Sequence, residues 1–98
     1  MIINPLEKKN FFEDLMGSRA RVKILKFLAL DEELSISQII SKTKLNYNCV
    51  SKHLRFLVRT NLIQEKKFGR IKIFRFRIEN IKARSLKKFI EIWEGDYL

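Results

Sequence analysis

Residues 46–78 read NYNCVSKHLRFLVRTNLIQEKKFGRIKIFRFRI, and this stretch decides the fold. At about 100° per residue, Val50, His53, Leu54 and Leu57 share one side of a helix running from about Tyr47 to Thr60. Asn48, Lys52, Arg55 and Arg59 lie nearly opposite, with Ser51 at the edge. Asn46 is a natural N-cap, and Asn61 a left-handed residue after the last turn. From Leu62 the period changes. LIQEKK and IKIFRFRI are β-branched and aromatic, and they flank Phe68-Gly69-Arg70, the turn of a predicted hairpin. Phe74, Phe76 and Ile78 alternate with Arg75 and Arg77. The alternation slips a step near Ile73-Phe74, which predicts a bulge or twist there.

Working outward, Asn4-Pro5 opens a helix carrying Leu6, Phe11, Phe12, Leu15 and Met16, and Gly17 ends it. Ser18 caps a second helix whose apolar side holds Val22, Ile24, Leu25 and Leu28, while Arg19, Lys23 and Lys26 face away. Leu34-Ser35-Ile36 is short and extended, and Ser37 caps a brief third helix with Ile39 and Ile40. Lys44-Leu45-Asn46 is a turn. Asn80 caps a last helix in which Leu86, Phe89, Ile90 and Trp93 recur at helical spacing, with Gly95 at its end. Two helices joined by a tight turn and followed by a basic hairpin make a winged helix-turn-helix. The expected class is α+β, mostly α, with a two-stranded basic wing and N- and C-terminal dimerisation helices. One domain covers 1–98: an N-terminal helix (1–16), a winged-helix core (17–78) and a C-terminal helix (79–98).

Charge sharpens the reading. The chain of 98 residues has 21 Lys and Arg against 11 Asp and Glu, a formal net charge of +10. Residues 1–45 hold 8 basic and 6 acidic side chains, residues 46–78 hold 9 and 1, and residues 79–98 hold 4 of each. A window with +8 of the +10 points to an acidic partner. Its helix-turn and hairpin, lacking a broad amphipathic face, favour double-stranded DNA over a membrane surface. In the helix, Arg and Lys can pair with guanine edges and Asn with adenine, while Tyr47 and Ser51 reach phosphate or base edges. The recognition set is therefore Tyr47, Asn48, Ser51, Lys52, Arg55 and Arg59. The wing set is Lys66, Lys67, Arg70, Lys72 and Arg75, with Arg77 beside it. Two plainer readings stand alongside: any surface helix has a charged face, and edge strands carry cations to prevent aggregation.

The stretch Val50 to Ile63, VSKHLRFLVRTNLI, resembles the recognition helix and first wing strand of the arsenic-repressor-like (ArsR) winged-helix regulators. Gly17 to Leu28, GSRARVKILKFL, resembles the opening helix of the same domains, in the manner of small archaeal or archaeal-virus members. The resemblance spans about residues 15–95. It implies a homodimer on palindromic operator DNA, with the terminal helices as the interface. Metal-sensing members carry two cysteines at the start of the helix before the recognition helix. Here Ser35 and Ser37 stand in their place, and hydroxyls do not replace thiolates toward soft metals. Carboxylates Glu91 and Glu94, without a histidine, make a poor site, so no metal and no cofactor are expected.

The remaining candidates have bland and sharp readings. His53, the single histidine, is a packed, hydrogen-bonded residue rather than a base. With no second His, no paired acids and no Gly-rich phosphate loop, the chain does not read as an enzyme. Cys49, the single cysteine, is a small partly buried residue or a redox switch whose oxidation blocks groove entry. Phe11, Phe12, Leu86, Phe89, Ile90 and Trp93, with Ile92, are more apolar surface than one small domain covers, which predicts a homodimer through the terminal helices. The segment MIINPLEKKN lacks an apolar signal core, and the longest apolar run is Phe27 to Leu30, so a cytoplasmic location is expected. Abundant Ile and Lys with few Gln and Cys suggest a thermophilic source.

Overall fold

A computed structural model describes the backbone of residues 5–95 and the side chains of 11–95. The chain runs α1 (Pro5–Met16), α2 (Arg19–Asp31), β1 (Glu33–Ser35), α3 (Ile36–Thr43), α4 (Tyr47–Arg59), β2 (Ile63–Phe68), β3 (Ile71–Phe76) and α5 (Ile81–Glu94). The predicted Asn4 cap and the Leu6 side chain lie outside the described residues. This is a winged helix-turn-helix, mostly helical, with one antiparallel sheet.

Local chemistry sets most boundaries. Ser18 caps α2, its side chain accepting from the Arg21 N–H. Asn46 caps α4 through the Cys49 N–H, and Asn80 caps α5 through the Lys82 N–H. The cap of α3 is Ser35, not Ser37. Ser35 forms a capping box with Gln38, each side chain meeting the other's backbone N–H, and so starts the helix two residues earlier. Lys44 closes α3 in the left-handed conformation, with its N–H on the Ile40 carbonyl. Asn61 has φ 65, and the Leu62 and Asn61 N–H groups bond the Leu57 and Val58 carbonyls. That is a Schellman ending, and it turns the chain sharply from α4 into the sheet.

The sheet has three strands in the order β1-β3-β2. The wing is therefore two-stranded only toward its tip, because β1 pairs with Ile73–Arg75 at the base. Pairing of β2 with β3 is unbroken from Ile63↔Phe76 to Phe68↔Ile71, so the predicted bulge is absent. The slip in the pattern has another cause: Ile71 and Ile73 lie on the sheet face opposite Phe74 and Phe76, and Ile71 is exposed.

The core gathers Ile24, Leu25, Leu28 and Ala29 of α2, Ile39 of α3, and Val50, Leu54 and Leu57 of α4. Leu34, Ile63, Phe74 and Phe76 close it from the sheet, and Ala83 from α5. Burying a side chain of Leu, Ile or Phe size stabilises the fold by about 1.5–3 kcal/mol. The Asn80 side chain donates to the Asn61 carbonyl at 2.9 Å, so one bond ties the start of α5 to the end of α4.

Candidate nucleic-acid interface

The stripe Val50, His53, Leu54 and Leu57 is buried, which fixes the rotation of α4 and forces its other side outward. On that outer side Tyr47, Asn48, Lys52, Arg55 and Arg59 are exposed and Ser51 is half-buried. Arg55 donates to the Ser51 hydroxyl at 3.1 Å, one turn back along the helix. Among the described residues no carboxylate pairs with Lys52, Arg55 or Arg59. The six predicted recognition residues therefore share one surface, and none of its cations forms an ion pair with a described carboxylate.

The wing divides the predicted cations between its two faces. Glu65, Lys67, Lys72 and Phe74 share one face, and Lys67 stands directly opposite Lys72 in the ladder. Lys72 and Glu65 line a groove together with Tyr47, Arg55 and Arg59, so this face continues the surface of α4. The Lys72–Glu65 pair is long, at 4.0 Å. Arg70 is exposed in the turn. Lys66 lies on the opposite face, and so does Arg75. Arg75 stands across from Glu33 of β1 and binds that carboxylate at 3.3 Å. Arg77 likewise pairs with Glu79, at 3.1 Å. The two-residue alternation of a strand puts Arg75 on the face opposite Lys67 and Lys72.

Behind α4, His53 is packed and hydrogen-bonded as its place on the helix implies, and its partner is Arg21. His53 is only 6% exposed, and Arg21 of α2 donates through Nε to its Nδ1 at 3.3 Å. The Ser18 hydroxyl is 3.5 Å from the His53 Nε2, and the Arg21 guanidinium stacks 3.8 Å from the Phe56 ring centroid. Arg21 also donates to the Asp14 carbonyl, joining α1, α2 and α4. Accepting at Nδ1 requires a neutral ring with its proton on Nε2. Burial lowers the His53 pKa below its ordinary value, and the charges of Arg21 and Lys52 lower it further. Arg21 is 32 residues from His53 in sequence and carries no local signal of this role.

Cys49 is half-buried on the flank of α4. Between them, α1 and α5 flank a groove lined by Phe11, Phe12, Leu15, Met16, Leu86 and Phe89. Phe12 is 67% and Trp93 70% exposed, and the Phe89 and Trp93 rings meet at a tilt of 54° with centroids 6.0 Å apart. Leu86, Ile90 and Phe11 are half-buried against the core. Of the six predicted interface residues, Phe11, Phe12, Leu86 and Phe89 line this groove, and Ile90 and Trp93 line a second one that shares Phe89. Among the described residues, no helix is long and apolar enough to cross a membrane, and no group of three His, Cys, Asp or Glu side chains could hold a metal ion.

Residues 18–65, from the cap of α2 into β2, match the family model described as bacterial regulatory protein, arsR family. The chain is an ArsR-like winged-helix protein. The matched family is one of DNA-binding transcription regulators, and the match spans the helix-turn-helix and the first wing strand. Solved structures agree on the fold of this ArsR-like chain. HlyU from Vibrio cholerae superposes with a TM-score of 0.74 at 21% identity, covering 96% of this chain and 98% of HlyU. The transcriptional repressor PagR of Bacillus anthracis gives 0.68 at 26% identity, covering 87% and 94%. NolR from Sinorhizobium fredii gives 0.68 at 18%, covering 97% of each chain. No curated protein sequence matches this ArsR-like chain significantly.

Proposed function

We propose that this ArsR-like chain is a sequence-specific regulator that binds a palindromic operator as a homodimer. One α4 per protomer would enter successive major grooves about 34 Å apart. The observation that carries the reading is the surface of α4. Asn48, Lys52, Arg55 and Arg59 project from a helix locked in rotation by its buried stripe, and none of the three cations is ion-paired with a described carboxylate. Amide and guanidinium groups at this spacing suit base edges, while Lys67, Arg70 and Lys72 on the adjoining wing suit phosphates. The open apolar region on α1 and α5 supports the second copy, which would cover Phe12, Phe89 and Trp93. In this reading residues 17–78 read DNA and the terminal helices hold the dimer.

Selection of bound sequences from a random duplex pool tests this directly. The expected product is an inverted repeat with half-site centres about one helical turn apart. Recovery of unenriched sequence at every round would replace the reading with non-specific, architectural binding.

A further inference from the structure

The wing ends in an apolar pair that the DNA reading has not used. Phe68 is 62% and Ile71 57% exposed, and they face each other in register across the hairpin. Between them lie only Gly69 and Arg70. Gly69 has φ +63, the value that the first position of a type II′ turn demands, and nothing lies within 4 Å of where its Cβ would be. The third strand gives no cover, because β1 stops at the pair Ser35↔Ile73. Two large apolar side chains therefore project at a bare tip, where polar residues would serve the hairpin better and resist edge-to-edge association.

The surroundings of the pair identify its occupant. One step inward on the same face lies Lys66, and on the other face Lys67 and Lys72 stand opposite each other with a single carboxylate, Glu65, 4.0 Å from Lys72. Arg70 adds a cation in the turn itself. Lys72 also lines the groove shared with Arg55 and Arg59 of α4, so the tip is held at a set displacement from the helix that would occupy the major groove. A minor groove is about 6 Å wide, and paired strands are already about 4.8 Å apart before side chains are counted. The hairpin cannot lie flat inside. Its tip side chains can enter if the groove is opened, and apolar wedges open it by parting a base step.

We infer that Phe68 and Ile71 form an apolar wedge that enters the minor groove beside each half-site and bends the duplex, with Lys67, Arg70 and Lys72 held to the flanking phosphates. The inference rests on the DNA-binding reading and adds a deformation to it. Selected sites should then carry a flexible pyrimidine–purine step under the wing, where parting is least costly.

The test uses a duplex recovered by selection, labelled at both ends for energy transfer and carrying 2-aminopurine at the step under the wing. Wild-type protein should bring the ends closer and brighten the 2-aminopurine. Phe68→Ser should abolish both signals and weaken binding about tenfold, the effect of removing one stacked ring, with the salt dependence unchanged. Arg70→Ala should do the reverse, reducing the salt slope while keeping the bend. Phe68 is exposed, so its variant should melt with the wild type. If Phe68→Ser and the pair variant Phe68→Ser with Ile71→Ser bind and bend like wild type, the wedge is wrong and the DNA reading survives. If no duplex binds to the wild type, both fall. Binding to vesicles of anionic lipid that depends on Phe68, with no effect on DNA bending, would reassign the tip to a membrane and overturn the inference.

Discussion

Replacing Arg55 with alanine separates base reading from simple charge attraction. Arg55 is exposed on the outer side of α4, and it donates to the Ser51 hydroxyl at 3.1 Å. Removing a single exposed hydrogen bond should change stability by no more than about 0.5 kcal/mol, so the variant should fold and melt like wild type. A bidentate pairing with a guanine edge contributes about 1–3 kcal/mol of discrimination, which corresponds to a drop of roughly 5- to 150-fold in affinity for the selected duplex. Affinity for scrambled duplex should fall far less, by the share of one cation. Fluorescence anisotropy titrations of both duplexes at several salt concentrations read the two effects together. Lys72→Ala is the control: it should weaken both duplexes equally and reduce the salt slope by about 0.9, the share of one phosphate no longer neutralised. If Arg55→Ala weakens selected and scrambled duplex by the same factor, Arg55 is a phosphate anchor and the base-reading role is refuted.

Other perturbations probe the dimer, the core and the His53 network. Phe89→Asp places a charge on the open apolar face of α5, and sedimentation should show a monomer where the wild type is a dimer; a wild-type monomer at micromolar concentration would remove the interface. Leu57→Ala empties a fully buried position between α4 and the sheet and should cost about 2–5 kcal/mol in denaturant unfolding, whereas Phe12→Ala should cost little outside the dimer. His53 has a folded pKa below its ordinary 6.5, so its contribution to stability is complete above pH 6.5 and is lost as pH falls through the folded value. Melting temperature should therefore drop on mild acidification, and His53→Gln should flatten that drop; an unchanged profile would show that other groups set it. Arg21→Ala removes the group that holds His53 and covers Phe56, and should destabilise the fold more than Arg19→Ala, by thermal melting.

Short-range chemistry makes much of this fold legible from the chain alone. Caps at Ser18, Asn46 and Asn80, the left-handed Asn61 and the glycine turn at Gly69 all act within a few residues, so the helices and hairpin follow from local pattern. The helical stripe of α4 is equally plain, because one buried side dictates what the other side exposes. What escapes is set by partners distant in sequence or by competition between neighbours. Ser35 and Ser37 are both competent caps, and the choice falls to Ser35 because Gln38 can answer it. Nothing local tells that Arg75 is paired, because its partner Glu33 on β1 is 42 residues away. The apparent slip at Ile73 mimics a bulge because Ile71 sits exposed at a strand end, where the usual alternation of buried and open faces has no core to read. Arg21 gives no local sign that it joins α1, α2 and α4.

The central claim is that α4 lies in the major groove while its dimer partner occupies the next one. Chemical protection of guanine N7, which faces the major groove, tests this most directly on a selected duplex. Protection is expected in two blocks about 10–10.5 base pairs apart on one face of the DNA, with the Arg55→Ala variant losing protection at a single guanine in each block. Protection confined to minor-groove positions, or spread evenly along the duplex, would contradict it.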